Sequence, residues 1–219
     1  MWDANNFVLE RYEILRDKHN FYPDKILDIG AHLGDWYFEI KDIYPNSEVL
    51  SIEANPNCAN KLSQNNPNYL ITFLGKNEGV VDFYVPNTHP TSTGASSYIE
   101  QTSIFDGVKP QQLQVITLDS LNQQFDFIKM DVQGSELDVI KGGLNTIKNS
   151  TILQLELSML DYNQGAPKAS EIISYLYNLG FELFDIGSFY FLNGKLNQSD
   201  MFFVNKEKFN ICITEYERP

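Results

Sequence analysis

Apolar positions along this chain alternate between two patterns. In some stretches they fall three to four residues apart among charges, and in others they run together, so helices and strands follow each other in turn. Residues 6–19 place Phe7, Ile14 and Leu15 at helical spacing, and Pro23 stops that helix before the apolar run of Ile26, Leu27 and Ile29. After Gly34, the segment DWYFEIKDIYP puts Trp36, Ile40 and Ile43 on one helical face. EVLSIEA reads as a second strand, residues 57–64 as a short helix opened by Asn55-Pro56, and Tyr69 to Leu74 as a third strand.

Residues 79–85 read as an extra strand, and residues 86–112, rich in Pro, Thr, Ser and Gly, as a long loop of the kind that forms lids or binding segments. QVITLDSL gives a strand with a cap at Asp119 or Ser120, and FDFIKMDV a buried strand. SELDVIKGG gives a helix with Leu137, Ile140 and Leu144 on one face, ended by Gly142-Gly143. TILQLEL is the next strand. SEIISYLYNLG turns Ile172, Ile173, Leu176 and Leu179 inward, and FELFDI, FYFLNG and DMFFVN close the chain as antiparallel strands with a hairpin at Asn193-Gly194. The β-α-β-α-β rhythm predicts an α/β fold with parallel strands and helices on both faces. Three segments are expected: an N-terminal helical stretch (1–23), a main domain (24–205) and a tail (206–219).

Composition narrows the partners more than the fold. The 219 residues are 42% hydrophobic, enough for one substantial core. Sixteen Lys and Arg against twenty-nine Asp and Glu leave a net charge of −13, which argues against nucleic acid and anionic lipid surfaces. Cys58 and Cys212 make no disulfide framework or CxxC pair and are expected to be reduced thiols. The N-terminal 23 residues lack a signal-peptide pattern, and no apolar run approaches the roughly 18 residues of a membrane span, so a soluble cytoplasmic protein is expected. The aromatic C-terminal strands fit buried sheet packing as well as a second subunit, so the sequence assigns no oligomeric state.

The most informative stretch is KILDIGAHLGDW (25–36). A buried strand carrying Asp28 leads through Gly30 and Gly34 into a helix, which lets backbone come close to a ligand. The dinucleotide fingerprint GxGxxG is absent, because Ala31 follows Gly30. Glu53 ends the next strand in SIEANP, where a carboxylate can accept hydrogen bonds from both hydroxyls of a ribose.

DIGAHLGDW, SIEANP, TLDSL, FDFIKMDVQGSELDVIKGG and LELSMLDYN, in that order, resemble the FkbM family of class I S-adenosylmethionine-dependent methyltransferases. The resemblance implies a Rossmann-like, seven-stranded, mostly parallel sheet with S-adenosyl-L-methionine over the C-terminal edges of its first strands. It implies Asp28, Gly30, Ala31 and Gly34 around the methionine portion, Glu53 and Ala54 at the ribose, and Gly75, Lys76 and Asn77 beside the adenine. It also implies that Ser96, Ser97 and Tyr98 lie near the mouth of the site as substrate contacts.

IKMDVQGSE sets Asp131 at the end of a buried strand, where the donor methyl would project, so Asp131 is the first candidate to take the proton of an attacking alcohol. Glu156, in the apolar context LQLELSM, needs a polar cleft or partner and is the second. Glu136 is weighed as a helix first-turn acid, and Phe189, Tyr190 and the turn at Gly165 to Pro167 as an opposite wall. His19, His32 and His89 are too isolated in the sequence to make a metal set, and no HExxH or GxSxG occurs. The sequence therefore points to an O-methyltransferase acting on a small-molecule or glycan hydroxyl, such as a sugar or a secondary metabolite. A nicotinamide-dependent oxidoreductase and a non-catalytic adenosyl-ligand-binding protein are the alternatives on the same fold.

Overall fold

The computed structural model describes residues 4–210, so Cys212 and most of the expected tail lie outside the described residues. The chain runs α1 (Ala4–Asp17), β1 (Lys25–Ile29), α2 (Asp35–Ile43), β2 (Glu48–Glu53), α3 (Ala59–Asn65), β3 (Tyr69–Ile71), β4 (Phe73–Leu74), β5 (Gly79–Phe83) and β6 (Gln111–Ile116). It continues through β7 (Phe127–Met130), α4 (Glu136–Gly142), α5 (Leu144–Asn149), β8 (Ile152–Ser158), α6 (Ala169–Asn178), β9 (Phe181–Leu192) and β10 (Lys195–Asn205).

Seven strands form the central sheet in the order β3-β2-β1-β7-β8-β10-β9. The first five are parallel, whereas β10 runs antiparallel to both β8 and β9. The expected Rossmann-like α/β architecture with an antiparallel C-terminal hairpin is therefore present. Strand alternation divides the core in two. Leu27, Ile29, Ile128, Leu153 and Phe203 pack with α4, α5 and α6 on one face. Ile26, Phe127, Ile152 and Phe202 pack with Tyr12 and Leu15 of α1 and Ile40 of α2 on the other. The N-terminal helix thus contributes fully buried side chains to the main core.

Five local expectations are corrected. Tyr69–Leu74 is not one strand: at Thr72, whose N–H donates to Glu53 O (2.9 Å), the chain leaves the central sheet, and β4 joins β6 and β5 in a second, three-stranded sheet. β6 begins at Gln111, inside the predicted loop, and belongs to that small sheet. The helix does end at Gly142-Gly143, but a second helix, α5, follows at once, and Leu144, expected on the buried face of the first, opens α5 and is exposed. Asp119 does not cap its own segment. Its carboxylate accepts from the backbone N–H groups of Asn145 and Thr146 (3.0 and 2.8 Å), capping α5, while Thr117 caps the one-turn helix at Leu118–Leu121. β9 is continuous where two short strands are expected, a consequence of its pairing with β10 along nearly its whole length.

Candidate active site

The site forms at the C-terminal ends of β1, β2 and β7, where the strand order reverses across β1. β1 runs straight into Gly30, whose φ of +80° is left-handed. A Cβ built there would lie 1.8 Å from the backbone oxygen of Asp131, so only glycine lets the two strand ends meet. The N–H groups of Gly30 and Ala31 both donate to Ile52 O (2.9 and 3.0 Å), and Asp131 N–H donates to Ile29 O (2.9 Å).

Glu53 is 8% exposed at the end of β2. Its Oε2 accepts from His32 N–H (2.8 Å) and its Oε1 from Asn55 N–H (2.7 Å). Burial raises its pKa, and those two amide bonds work against the rise. Each carboxylate oxygen keeps a second lone pair, which is what the two hydroxyls of a ribose require.

Two adjoining cavities open on this carboxylate. One, about 50 Å³, is walled by Ile52, Ala54, Phe73, Leu74 and Phe83; the other, about 70 Å³, by His32, Asn55 and residues 92–95. Both are lined by Gly30, Glu53, Ala95 and Asp131. An apolar slot beside a ribose-ready carboxylate and a glycine cradle suits an adenosyl group. The space is well below the roughly 300 Å³ at which small-molecule sites begin. A segment of the long loop borders it: Asn55 Nδ2 donates to Pro90 O (2.8 Å), and the His32 ring meets Thr91 O.

A third cavity, about 120 Å³, lies on the α1/α2 face of the sheet. Its lining includes Tyr12, Trp36, Lys129, Asp131, Glu156 and Asp200. Gln133, with a left-handed φ of +52°, sends its amide between two carboxyls, donating to Asp131 Oδ1 (2.7 Å) and Glu156 Oε2 (2.8 Å). Gln198 donates to the same Glu156 oxygen (2.9 Å). Gln154 donates to Asp200 Oδ1 (2.9 Å) and accepts from Tyr12 OH (2.6 Å), which in turn accepts from Trp36 Nε1 (2.9 Å). Burial, with Asp131 and Asp200 close by, pushes Glu156 well above the usual carboxylate range. Burial likewise pushes Asp200 up to about 6.

Among the residues anticipated from sequence, Gly30, Glu53, Ala54 and Asp131 line the two adjoining cavities, and Asp131 and Glu156 line the third. Asp28 is fully buried on the α1/α2 face instead, with Oδ1 3.2 Å from Lys129 Nζ. Ala31 is buried, and Gly34 sits at the start of α2. Lys76 and Asn77 are exposed beyond β4 and line none of the three cavities. The hydroxyls of Ser96 and Ser97 anchor the loop to the turn after β7, through Gln133 O (2.8 Å) and Ser135 Oγ (2.9 Å), and that of Tyr98 anchors it to the first turn of α4 through Asp138 Oδ2 (3.0 Å). Asp200, Gln154, Gln198 and Tyr12 were not anticipated.

A family model described as the methyltransferase FkbM domain matches residues 28–183, nearly three quarters of the chain. The chain belongs to the FkbM methyltransferase family. Solved structures share the fold. Methyltransferase FkbM from Methylobacillus flagellatus KT has a TM-score of 0.52 at 17% identity, covering 87% of this chain and 47% of that one. This chain therefore spans about half the length of that protein. Magnesium protoporphyrin IX methyltransferase (ChlM) from Synechocystis PCC 6803, solved with bound SAM, has a TM-score of 0.52 at 11% identity, covering 93% and 80%. Aeropyrum pernix fibrillarin, solved with S-adenosyl-L-methionine, has 0.51 at 11%, covering 91% and 74%. No protein of curated function matches the chain. Among the described residues, no helix of this FkbM domain is long and apolar enough to cross a membrane.

Glu136 gives the FkbM domain a pH signature. It is 2% exposed, and its Oε1 accepts from Val132 and Gly134 N–H (3.2 and 3.3 Å), holding the turn after β7. Burial pushes its pKa up to about 7, so the fold binds this proton more tightly than the unfolded chain does. The stability that proton contributes is complete below the unfolded value of about 4.5 and is lost as pH rises through about 7. Asp200 acts in the same direction through about 6. His19, whose pKa burial lowers, acts weakly the other way. Calorimetric melting is expected to give a higher Tm near pH 5 than near pH 8. Glu136→Gln is expected to remove about 3 kcal/mol of that difference, roughly 5–10 °C. A Tm that climbs toward pH 8 would contradict this account.

Proposed function

We propose that this chain is an S-adenosylmethionine-dependent O-methyltransferase whose acceptor is a hydroxyl on a sugar or a secondary metabolite, with Asp131 as the base. The observation that carries the reading is that Asp131 alone lines all three cavities: the two at the ribose carboxylate and the one across the sheet. When bound, S-adenosylmethionine supplies an electrophilic methyl group on a sulfonium. Glu53 would hold the ribose, the apolar slot at Phe73 and Leu74 the base, and the glycine turn the methionine portion.

Asp131 would align the acceptor hydroxyl and take its proton as the oxygen attacks, so that the new C–O bond and the departing proton balance the broken C–S bond. Alignment alone can lower such a barrier by roughly 7–11 kcal/mol. Gln133 would fix the rotamer of Asp131, and Glu156, sharing the same Gln133 amide, would hold that amide in place. The missing GxGxxG pyrophosphate turn weighs against the nicotinamide alternative.

Titration with S-adenosylmethionine and S-adenosylhomocysteine, followed by transfer of labelled methyl to a panel of hydroxyl compounds, tests the reading. Glu53→Ala is expected to weaken binding of both sulfur ligands about 10- to 100-fold, the worth of its hydrogen bonds to a diol. Circular dichroism on the same sample checks that the fold survives the loss of the partner to the His32 and Asn55 amides. Unchanged affinity in a folded Glu53→Ala protein would remove the ribose assignment.

A further inference from the structure

Residues 88–95 lie against the ribose carboxylate as a strap pinned at both ends. On one side Asn87 N–H donates to Ile104 O and its Nδ2 to Asp106 O (both 3.0 Å). On the other, Ser96 exchanges backbone bonds with Tyr84 (2.8 and 3.1 Å), and its Oγ donates to Gln133 O (2.8 Å). Between these pins, two hydrogen bonds join the strap to the rest of the described residues: Asn55 Nδ2 donates to Pro90 O (2.8 Å), and His32 Nε2 to Thr91 O. Its other hydrogen bonds, among Thr88, His89, Thr91 and Ser92, are internal. Thr88, His89 and Pro90 are exposed, and Ala95 is the strap residue that packs on the apolar cluster of Phe73, Phe83 and Val115. A segment with so few apolar contacts and outward bonds opens at low cost.

Both fastening residues answer to one carboxylate. Glu53 Oε2 accepts from His32 N–H (2.8 Å) and Oε1 from Asn55 N–H (2.7 Å), so the orientation of Glu53 sets where the two side chains start. Residues 92–95 then share with Glu53 and Asp131 the walls of the cavity of about 70 Å³. We propose that His32 and Asn55 fasten residues 88–95 over the bound cofactor, and that ribose binding at Glu53 and closure of the strap are one coupled event. This rests on the assignment of the ribose to Glu53. Two hydroxyls on Glu53 fix the carboxylate that orients both fasteners. A ligand in the cavity touches residues 92–95 only while the strap is down, so it binds the closed form more tightly and shifts the population toward it. Closed, the strap keeps solvent from Asp131, which lines the same cavity. His32 and Asn55 are thus positioning residues, acting through the strap rather than on the methyl group.

Hydrogen exchange read by mass spectrometry over residues 88–95, with and without saturating S-adenosylhomocysteine, tests this. Bound ligand is expected to slow exchange in the strap of the parent chain about tenfold or more, the worth of two hydrogen bonds. The double variant His32→Ala with Asn55→Ser keeps both backbone donors to Glu53, and the serine keeps a side-chain oxygen for Asn57 N–H. In that variant the strap should exchange at nearly its free rate even when saturated, and S-adenosylhomocysteine should dissociate about tenfold faster. His32→Gln, whose amide restores a donor for Thr91 O, should recover protection that His32→Ala loses. Strap exchange in the parent that ignores the ligand overturns the proposal without any variant having to fold. So does protection that survives the double substitution. Calorimetry on the same samples reports separately on the ribose assignment: binding that Glu53→Ala leaves unchanged removes that assignment, whereas Glu53-dependent binding with an unprotected strap removes the coupling alone.

Discussion

Asp131→Asn is expected to lower methyl transfer by about 10²- to 10⁴-fold while leaving affinity for S-adenosylhomocysteine within about twofold. The substitution keeps volume and the contact with Gln133, since an amide oxygen can still accept the 2.7 Å bond. What it removes is the capacity to take a proton at the point where the three cavities meet. Glu156→Gln supplies the contrast. Gln133 and Gln198 both donate to Oε2 of Glu156, bonds that an amide oxygen can still accept, so replacing it by an amide is expected to cost far less turnover than the Asp131 change. The comparison uses labelled-methyl transfer to whichever acceptor supports turnover in the parent chain, with ligand affinity measured separately. A folded Asp131→Asn protein with near-parental turnover would sink the base assignment, and a larger loss for Glu156→Gln would transfer it.

Gly30→Ala is expected to destabilise the fold by more than about 4 kcal/mol and to abolish binding of the sulfur ligands. Two terms add. A left-handed φ costs an L-residue roughly 1–2 kcal/mol, and the new methyl would lie 1.8 Å from Asp131 O and 2.7 Å from its carbonyl carbon. Those are backbone atoms at the end of a central strand, so relief requires β1 and β7 to separate where Asp131 N–H bonds Ile29 O. Gly194→Ala is the control: it has a φ of +75° but nothing within 4 Å of an added Cβ, so it should cost only about 1 kcal/mol. Thermal melting of the pair checks the difference. Equal melting temperatures would show that the strand ends yield more readily than this geometry allows.

Much of this site was legible in the sequence because its parts are local. A strand, a glycine turn and a carboxylate one strand later are contiguous motifs, and Gly30, Glu53 and Asp131 meet as the motifs imply. The third cavity was not legible, for a physical reason. Its polar residues occur two apart on otherwise apolar strands: Lys129 and Asp131, Gln154 and Glu156, Gln198 and Asp200. Each pair reads singly as a polar strand end. Only the sheet order β7-β8-β10, with β10 reversed, stacks them on one face. The switch of sheets at Thr72 was hidden in the same way, because nothing in YLITFL marks where one hydrogen-bonding partner replaces another. The expectation for Lys76 and Asn77 came from resemblance, and the slot is lined by Thr72, Phe73 and Leu74.

The cavity at Asp131 has one further property. Lys129, Asp131, Gln154 and Glu156 fall inside the span 28–183 that the family shares, whereas Val8, Tyr12, Ser188, Tyr190 and Asp200 fall outside it, on α1 and the C-terminal hairpin. The strands that carry Asp131 and Glu156 thus lie within the matched span, while much of the far wall is built by segments outside it.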